Sequence, residues 1–240
     1  MAPPTLTPER PLTVTLEPFT PSSFSEFGVA ITCPFSSSLH TVPPSIPPPI
    51  HPAHQITPIF ANQNSALKTS PISPLTNNYP DQGKSKPLMS MFSCFPRRIQ
   101  NGKFPVHILE RHPYTTQTFC PLGLSPDDPS ATFLVIVAPS LSSPRRAASS
   151  AGGKIPISHP PDLSRVRAFM ATGAHAVTYG AGTWHAPMVV VGRKRVDFVV
   201  TQFVDGVPEH DCEEVTVGGG DVVVDLTGLA VDGLDFHAKL

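Results

Sequence analysis

No stretch of about 18 consecutive apolar residues occurs in the chain, so no membrane-spanning helix is expected. The formal net charge is only −1. That leaves no electrostatic footprint for nucleic acid or an acidic membrane. Cysteine is scarce: Cys33, Cys94, Cys120 and Cys212 stand far apart and form no C-x-x-C pair. A zinc ribbon or a thiol redox motif is thereby excluded, and a reduced intracellular compartment is the simpler reading. The opening M-A-P-P-T-L-T-P-E-R lacks the apolar core of a signal peptide. The expected location is cytoplasmic. The ending Ala238-Lys239-Leu240 loosely resembles the peroxisomal S-K-L signal and supplies an alternative.

What is present divides into a core and additions. Apolar residues make up 40% of the 240 positions and proline supplies 31, a balance that suggests a folded core carrying unstructured segments. Ser36–Pro58 holds seven prolines and almost no charge. Such a segment cannot feed a sheet ladder or bury enough surface to offset ordering entropy, so an inserted disordered loop over 36–58 is expected. The Ser/Pro/Gly/Arg-rich stretch 140–160 reads as a second loose insertion. Residues 218–240, with their glycine run, read as a C-terminal extension, either a hairpin or a weakly ordered tail.

Between these lie short strands. Leu12-Thr13-Val14-Thr15-Leu16 alternates apolar and polar, as a half-buried strand does. Thr20 to Gly28 carries a capping residue, a first-turn proline and an exit glycine, and predicts one short helix. Lys86–Phe95 is apolar on both alternating faces and predicts a strand buried on each side. Thr132–Ala138 is the clearest buried strand, and further short strands follow over 166–171, 175–179, 188–192 and 197–203. Short strands in series with little helix indicate an all-β barrel or sandwich, here a single domain over 10–217.

The chemistry concentrates in Ile108–Gly123, I-L-E-R-H-P-Y-T-T-Q-T-F-C-P-L-G. Glu110 and His112 are two apart, so on a strand they share a face, while Arg111 points away. Tyr179 to Pro187, Y-G-A-G-T-W-H-A-P, offers a partner stretch containing His185. Glu110, His112, Gln117 and His185 are candidate ligands for a divalent metal, as carboxylate, imidazoles and amide oxygen. The same groups could act as acid and base without metal. Each also has a plainer reading. Glu110 and Arg111 could form a structural ion pair, His112 cap a turn, Gln117 satisfy a buried backbone group, and Tyr179 and Trp184 pack the core or rim. Lys68 sits in a polar stretch whose plain reading is a surface turn.

Glu110-x-His112-x4-Gln117-x5-Gly123 and Gly180-x-Gly182-x-x-His185 resemble the two signatures of the cupin barrels. Glu110 stands where the first His usually is, and Gln117 where the Glu usually is. The segments E-R-H-P-Y-T-T-Q-T-F-x-P-L-G, F-L-V-I-V-A-P, P-D-L-S-R-V-R-A-F, A-V-T-Y-G-A-G-T-W-H-A-P-M and D-F-V-V-T-Q-F together look like the ureidoglycolate lyase family. The resemblance covers about residues 10–35 and 60–217 and leaves out both insertions and the tail. It implies a cupin-type (RmlC-like) β-barrel or jelly roll. It also implies a carbon–nitrogen lyase that eliminates urea from (S)-ureidoglycolate to give glyoxylate in allantoin and purine breakdown. A homodimer and a nickel ion are implied on the same ground.

Within that reading Glu110, His112, His185 and Tyr179 are the expected catalytic groups. Lys68, Gln117 and Trp184 are the expected contacts to the small-molecule substrate, Lys68 through its carboxylate. Two alternatives stay open: a hydrolase acting on the same substrate with release of ammonia, and a non-catalytic cupin that binds a small acid or sugar.

Overall fold

The computed structural model describes residues 2–50, 56–126, 128 and 130–227. The terminal Ala238-Lys239-Leu240 and part of the proline-rich loop lie outside the described residues. Among those described, strands dominate, and the α-helix is the four-residue Pro208–Asp211. No described helix is long and apolar enough to cross a membrane. The expected all-β, cupin-type architecture is observed as a large curled mixed sheet and a second sheet of five strands.

The curled sheet runs, in spatial order, through Lys154–Ile157, Arg145–Ala148, Thr5–Leu6, Glu213–Val217, Ile108–Arg111, Trp184–His185, Phe133–Ala138, Arg167–Ala171, Leu12–Pro18, Val222–Asp225 and Lys103–Pro105. The smaller sheet runs Gly28–Thr32, His175–Tyr179, Gln117–Pro121, Val196–Val204 and Lys86–Cys94. Phe133–Ala138 explains how they stack. All six residues are buried, because alternate side chains feed two cores. Leu134, Ile136 and Ala138 join Val14, Leu109, Trp184, Val215 and Val224 inside the curl. Phe133, Val135 and Val137 join Phe119, Val177, Tyr179, Phe198 and Val200 between the sheets.

Four expectations change. Residues 21–27 form successive turns instead of a helix. Thr20 and Ser23 do exchange backbone-to-hydroxyl bonds like a capping pair. Yet the segment's path follows its aromatics: Phe24 and Phe27 are buried against Phe169, and Gly28 turns at φ +147 where a Cβ would meet the Thr178 carbonyl. The 140–160 insertion is not loose. It carries the antiparallel hairpin Arg145–Ala148/Lys154–Ile157, whose Ala148 pairs with Thr5 and whose Ala147 and Ile157 are buried.

The glycine run 218–220 leads into a core strand, not a tail. Val222–Asp225 lies between Leu12–Pro18 and Lys103–Pro105, with Val222, Val224 and Leu226 buried. Finally, among the described residues Lys86–Cys94 is a sheet edge paired to Val196–Val204 alone; Ser90 and Cys94 are half-buried, while Leu88, Met89, Met91 and Phe92 are exposed and no described layer covers Met89 and Met91.

If Val222–Asp225 is a core strand, Val224→Ala should cost about 2 kcal/mol, the scale of a buried truncation. The urea midpoint of the full chain should drop accordingly, while an unchanged midpoint would restore the loose tail.

Candidate active site

The site is made of two directly opposed residue pairs, one on each sheet. On the curled sheet, His185 is the register partner of Glu110. On the five-stranded sheet, Tyr179 is the register partner of Gln117. Cross-strand partners face the same side of their sheet, so each pair points as a unit into the space between sheets. The pairs meet where the Tyr179 and His185 rings stack at 3.9 Å with planes 11° apart. His112, just beyond Ile108–Arg111, adds its ring 5.5 Å from that of His185. The turn into His185 is held to this edge: Gly182, at φ +78, donates its N–H to the His112 carbonyl.

Alternation sends the neighbours elsewhere. Arg111 pairs with Glu213 at 2.7 Å, donates to the His159 carbonyl and lies over the Trp184 ring. Trp184 is fully buried and donates its indole N–H to the same carbonyl. Both belong to the curl-side core and not to the cluster around His185. Lys68 lies on the hairpin Ile59–Ala61/Ala66–Lys68, which pairs with neither main sheet. Its side chain is exposed and bonds to none of the described residues. Thus Glu110, His112, Gln117, His185 and Tyr179 are brought together, and Lys68 and Trp184 are not.

The polar atoms of the cluster are unusually acceptor-rich. His112 Nδ1 is 2.5 Å from the Asp211 carbonyl, and His185 Nδ1 is 3.1 Å from the Thr183 carbonyl. A carbonyl can only accept, so both δ nitrogens carry protons, and in the neutral rings both ε nitrogens present lone pairs. His112 Nε2, His185 Nε2, Gln117 Oε1 and the Tyr179 hydroxyl are all buried with no hydrogen-bond partner. His185 Nε2 and Glu110 Oε1 sit 3.4 Å apart, long for a hydrogen bond. Two facing lone pairs at that separation call for a proton or a cation between them.

Glu110, His112 and His185 offer ligand atoms all within 4.8 Å of one another. With Gln117 Oε1 as a second oxygen and fourth donor, this set fits a divalent metal. Gln202, to which no role attached in the sequence, accepts the Gln117 Nε2–H on its Oε1 at 2.6 Å and so leaves Gln117 Oε1 free. Its signal was readable: Phe198, Val200 and Gln202 share one strand face, and the first two are buried.

Burial shapes the ionisation. It would raise the Glu110 carboxyl, but a hydrogen bond from His185 and the positive charge of His185 and His112 when those rings are protonated outweigh it and hold the group below its ordinary value. Burial, reinforced by His185, pushes His112 down against the Asp211 carbonyl and Glu110. Burial first, then Glu110, drives Tyr179 far above the usual phenol, so it stays a donor. Cys212, beside Glu110, is pushed up to about 12, chiefly by burial.

Known proteins share this chain's sequence over most of its length. A family model described as ureidoglycolate lyase matches residues 11–224. A ureidoglycolate lyase of Saccharomyces cerevisiae is 36% identical over 179 residues, covering 68% of this chain and 80% of that protein. One from Schizosaccharomyces pombe is 32% identical over 162 residues, covering 65% and 75%. One from Pseudomonas fluorescens is 27% identical over 188 residues, covering 78% and 83%.

The two downward shifts act on stability with one sign. His112 and Glu110 bind fewer protons folded than unfolded, so their contribution is full above the ordinary imidazole value of 6.5. It should fall as pH drops through the folded value of His112, and fall again as pH drops through that of Glu110. Urea midpoints of the chelator-treated chain across pH check this, with His112→Gln expected to remove the upper part of the slope.

Proposed function

The chain belongs to the ureidoglycolate lyase family, and from that premise we propose that the Glu110–His112–Gln117–Tyr179–His185 cluster is where ureidoglycolate is split into glyoxylate and urea. One observation carries the assignment of the site: a carboxylate, two ε nitrogens and an amide oxygen converge, buried, with the nitrogens' protons already committed elsewhere.

The substrate is a carbinolamide, one carbon bearing a hydroxyl, a carboxylate and the urea nitrogen. Elimination removes the hydroxyl proton and forms the carbonyl as the C–N bond breaks. The electron pair departs with the nitrogen, which takes up a proton, so one molecule becomes two with no other reactant. Glu110, ionised across the physiological range, is placed to receive the hydroxyl proton. Tyr179, kept protonated by burial, is the donor for the departing urea nitrogen. Gln117 Oε1 accepts from an N–H of the urea group or completes the metal donor set. Stacking on Tyr179 fixes the His185 ring, so its ε nitrogen stays aimed at Glu110.

Glu110, His112 and His185 would hold a divalent cation, nickel by family likeness. Such a cation lowers the pKa of an oxygen bound to it, which brings a weak base such as Glu110 within range. Buried surroundings exclude bulk water from these groups, which favours elimination over attack by water.

The decisive measurement is urea release from racemic ureidoglycolate above the spontaneous rate. Wild type should release urea and not ammonia. His112→Ala and His185→Ala should each lose at least about 100-fold, the span of a lost general acid–base or ligand group. Activity that survives chelation but vanishes in both His variants would leave acid–base chemistry and remove the metal. Absence of urea from wild type would overturn the lyase.

The same reading includes a homodimer. Leu88, Met89, Met91 and Phe92 stand exposed on the open edge strand Lys86–Cys94. An apolar edge of this kind invites strand pairing. An antiparallel strand pairs with its own copy across a twofold axis, which makes the edge self-complementary. Sedimentation should give twice the chain mass, and the double variant Met89→Glu/Met91→Glu should give the single mass. A monomeric wild type would sink the dimer.

A further inference from the structure

The His112 ring is held by the main chain of Asp211, which the Asp211 side chain and Tyr79 fix in place without either side chain bonding to the ring. Its Nδ1–H is received by the main-chain carbonyl of Asp211. That carbonyl belongs to the last residue of the Pro208–Asp211 turn, whose residues include none that is buried. Little apolar packing therefore fixes where it lies. The Asp211 side chain does so instead. One carboxylate oxygen accepts the Asp205 N–H at 2.9 Å and the other the Gly206 N–H at 3.0 Å. The first also accepts the Tyr79 hydroxyl at 2.7 Å. Asp205 closes the turn from the other side, accepting the Val207 N–H and approaching His210 Nδ1 at 2.8 Å.

Tyr79 is the fixed end of this chain. It is 2% exposed. Its hydroxyl also lies 3.0 Å from the Phe203 carbonyl, and its ring packs on Tyr114, two residues after His112, at 5.5 Å. The adjacent Asn78 N–H donates to the Tyr114 carbonyl at 2.7 Å. Tyr79 therefore joins both walls of the His112 position: the 112–114 turn by ring and backbone contacts, and the 205–211 turn by its hydroxyl.

We propose that Tyr79 and Asp211 are positioning residues that set the His112 tautomer. They hold the Asp211 carbonyl against Nδ1 and so keep the Nε2 lone pair in the site. Loss of the Tyr79 hydroxyl frees the 205–211 turn and lets the other tautomer, with its proton on Nε2, become populated. That tautomer has no lone pair to offer a cation or a proton at the site. The inference rests on His112 serving the site, but its readout does not need the lyase assignment.

Tyr79→Phe removes the hydroxyl and keeps the ring. Nitrogen-15 spectra of the full-length chain at pH 8, where imidazoles are neutral, report which His112 nitrogen carries hydrogen. Wild type should show Nδ1–H alone, and Tyr79→Phe a mixture. Nickel affinity by calorimetry should fall about 10–100-fold, the range for lost outer partners of a ligating His. In urea release, kcat should fall more than KM rises. Asp211→Asn keeps one acceptor for Tyr79 but faces two backbone N–H donors with one oxygen, and should give the same tautomer mixture. Val224→Ala, destabilising but remote, should leave the tautomer single. A single Nδ1–H tautomer with wild-type nickel affinity in both Tyr79→Phe and Asp211→Asn would overturn the proposal. If wild type released no urea while the tautomer still shifted, the lyase reading would fail and this one would stand.

Discussion

Two main-chain carbonyls set the orientation of the buried polar cluster of this protein. Asp211 and Thr183 each accept a δ proton from an imidazole, and that leaves two ε lone pairs facing a carboxylate in a buried space. A lone pair without a proton or cation opposite it is costly there. The arrangement is unfavourable on its own terms and becomes favourable when a cation or a proton-bearing ligand enters. The fold's task is to hold such a set in place against its own repulsion.

It does so with sheet register. Glu110 and His185 are locked side by side by strand pairing, and so are Gln117 and Tyr179. Strand pairing is cooperative over a whole ladder, so neither pair can drift without breaking many hydrogen bonds. The intervening strand Phe133–Ala138 packs on both faces and sets the spacing between the sheets. His112 is the exception. It lies off the end of its strand, where no ladder reaches it, and its position depends on the Asp211–Tyr79 chain of hydrogen bonds. Rigidity at this site is thus supplied by the sheet for four residues and by a polar network for the fifth.

Much of this was legible from the residues. Alternation placed the strands, the two-residue spacing put Glu110 and His112 on one face with Arg111 opposite, and the Gly180–His185 motif marked the stretch that carries His185. The failures have particular causes. Thr20–Gly28 carries helix-capping chemistry, but its two phenylalanines are buried against Phe169 and the segment follows them in turns. The 140–160 stretch looked unstructured by composition, yet its hairpin borrows an edge at Thr5–Leu6, more than half the chain away. Val222–Asp225 followed a glycine run and read as either an added hairpin or a weakly ordered tail, whereas it is a core strand with Val222 and Val224 buried. Lys86–Cys94 read as buried on both sides, while the protomer leaves it open, because apolar character shows that a strand is to be covered and not by what.

By itself the sequence determined the all-β class, the two site-bearing stretches and the family, because these reside in local periodicity and in short motifs of fixed spacing. Only the tertiary structure decided that Glu110 faces His185 and Gln117 faces Tyr179, that Trp184 belongs to the core, and that Gln202, Asp211 and Tyr79 are hydrogen-bonded around this cluster. Those relations join residues up to 132 positions apart, as Tyr79 and Asp211 are. They follow from which strands pair and in what register. That is settled by burying two apolar cores at once, a condition on the whole chain that no window of neighbouring residues contains.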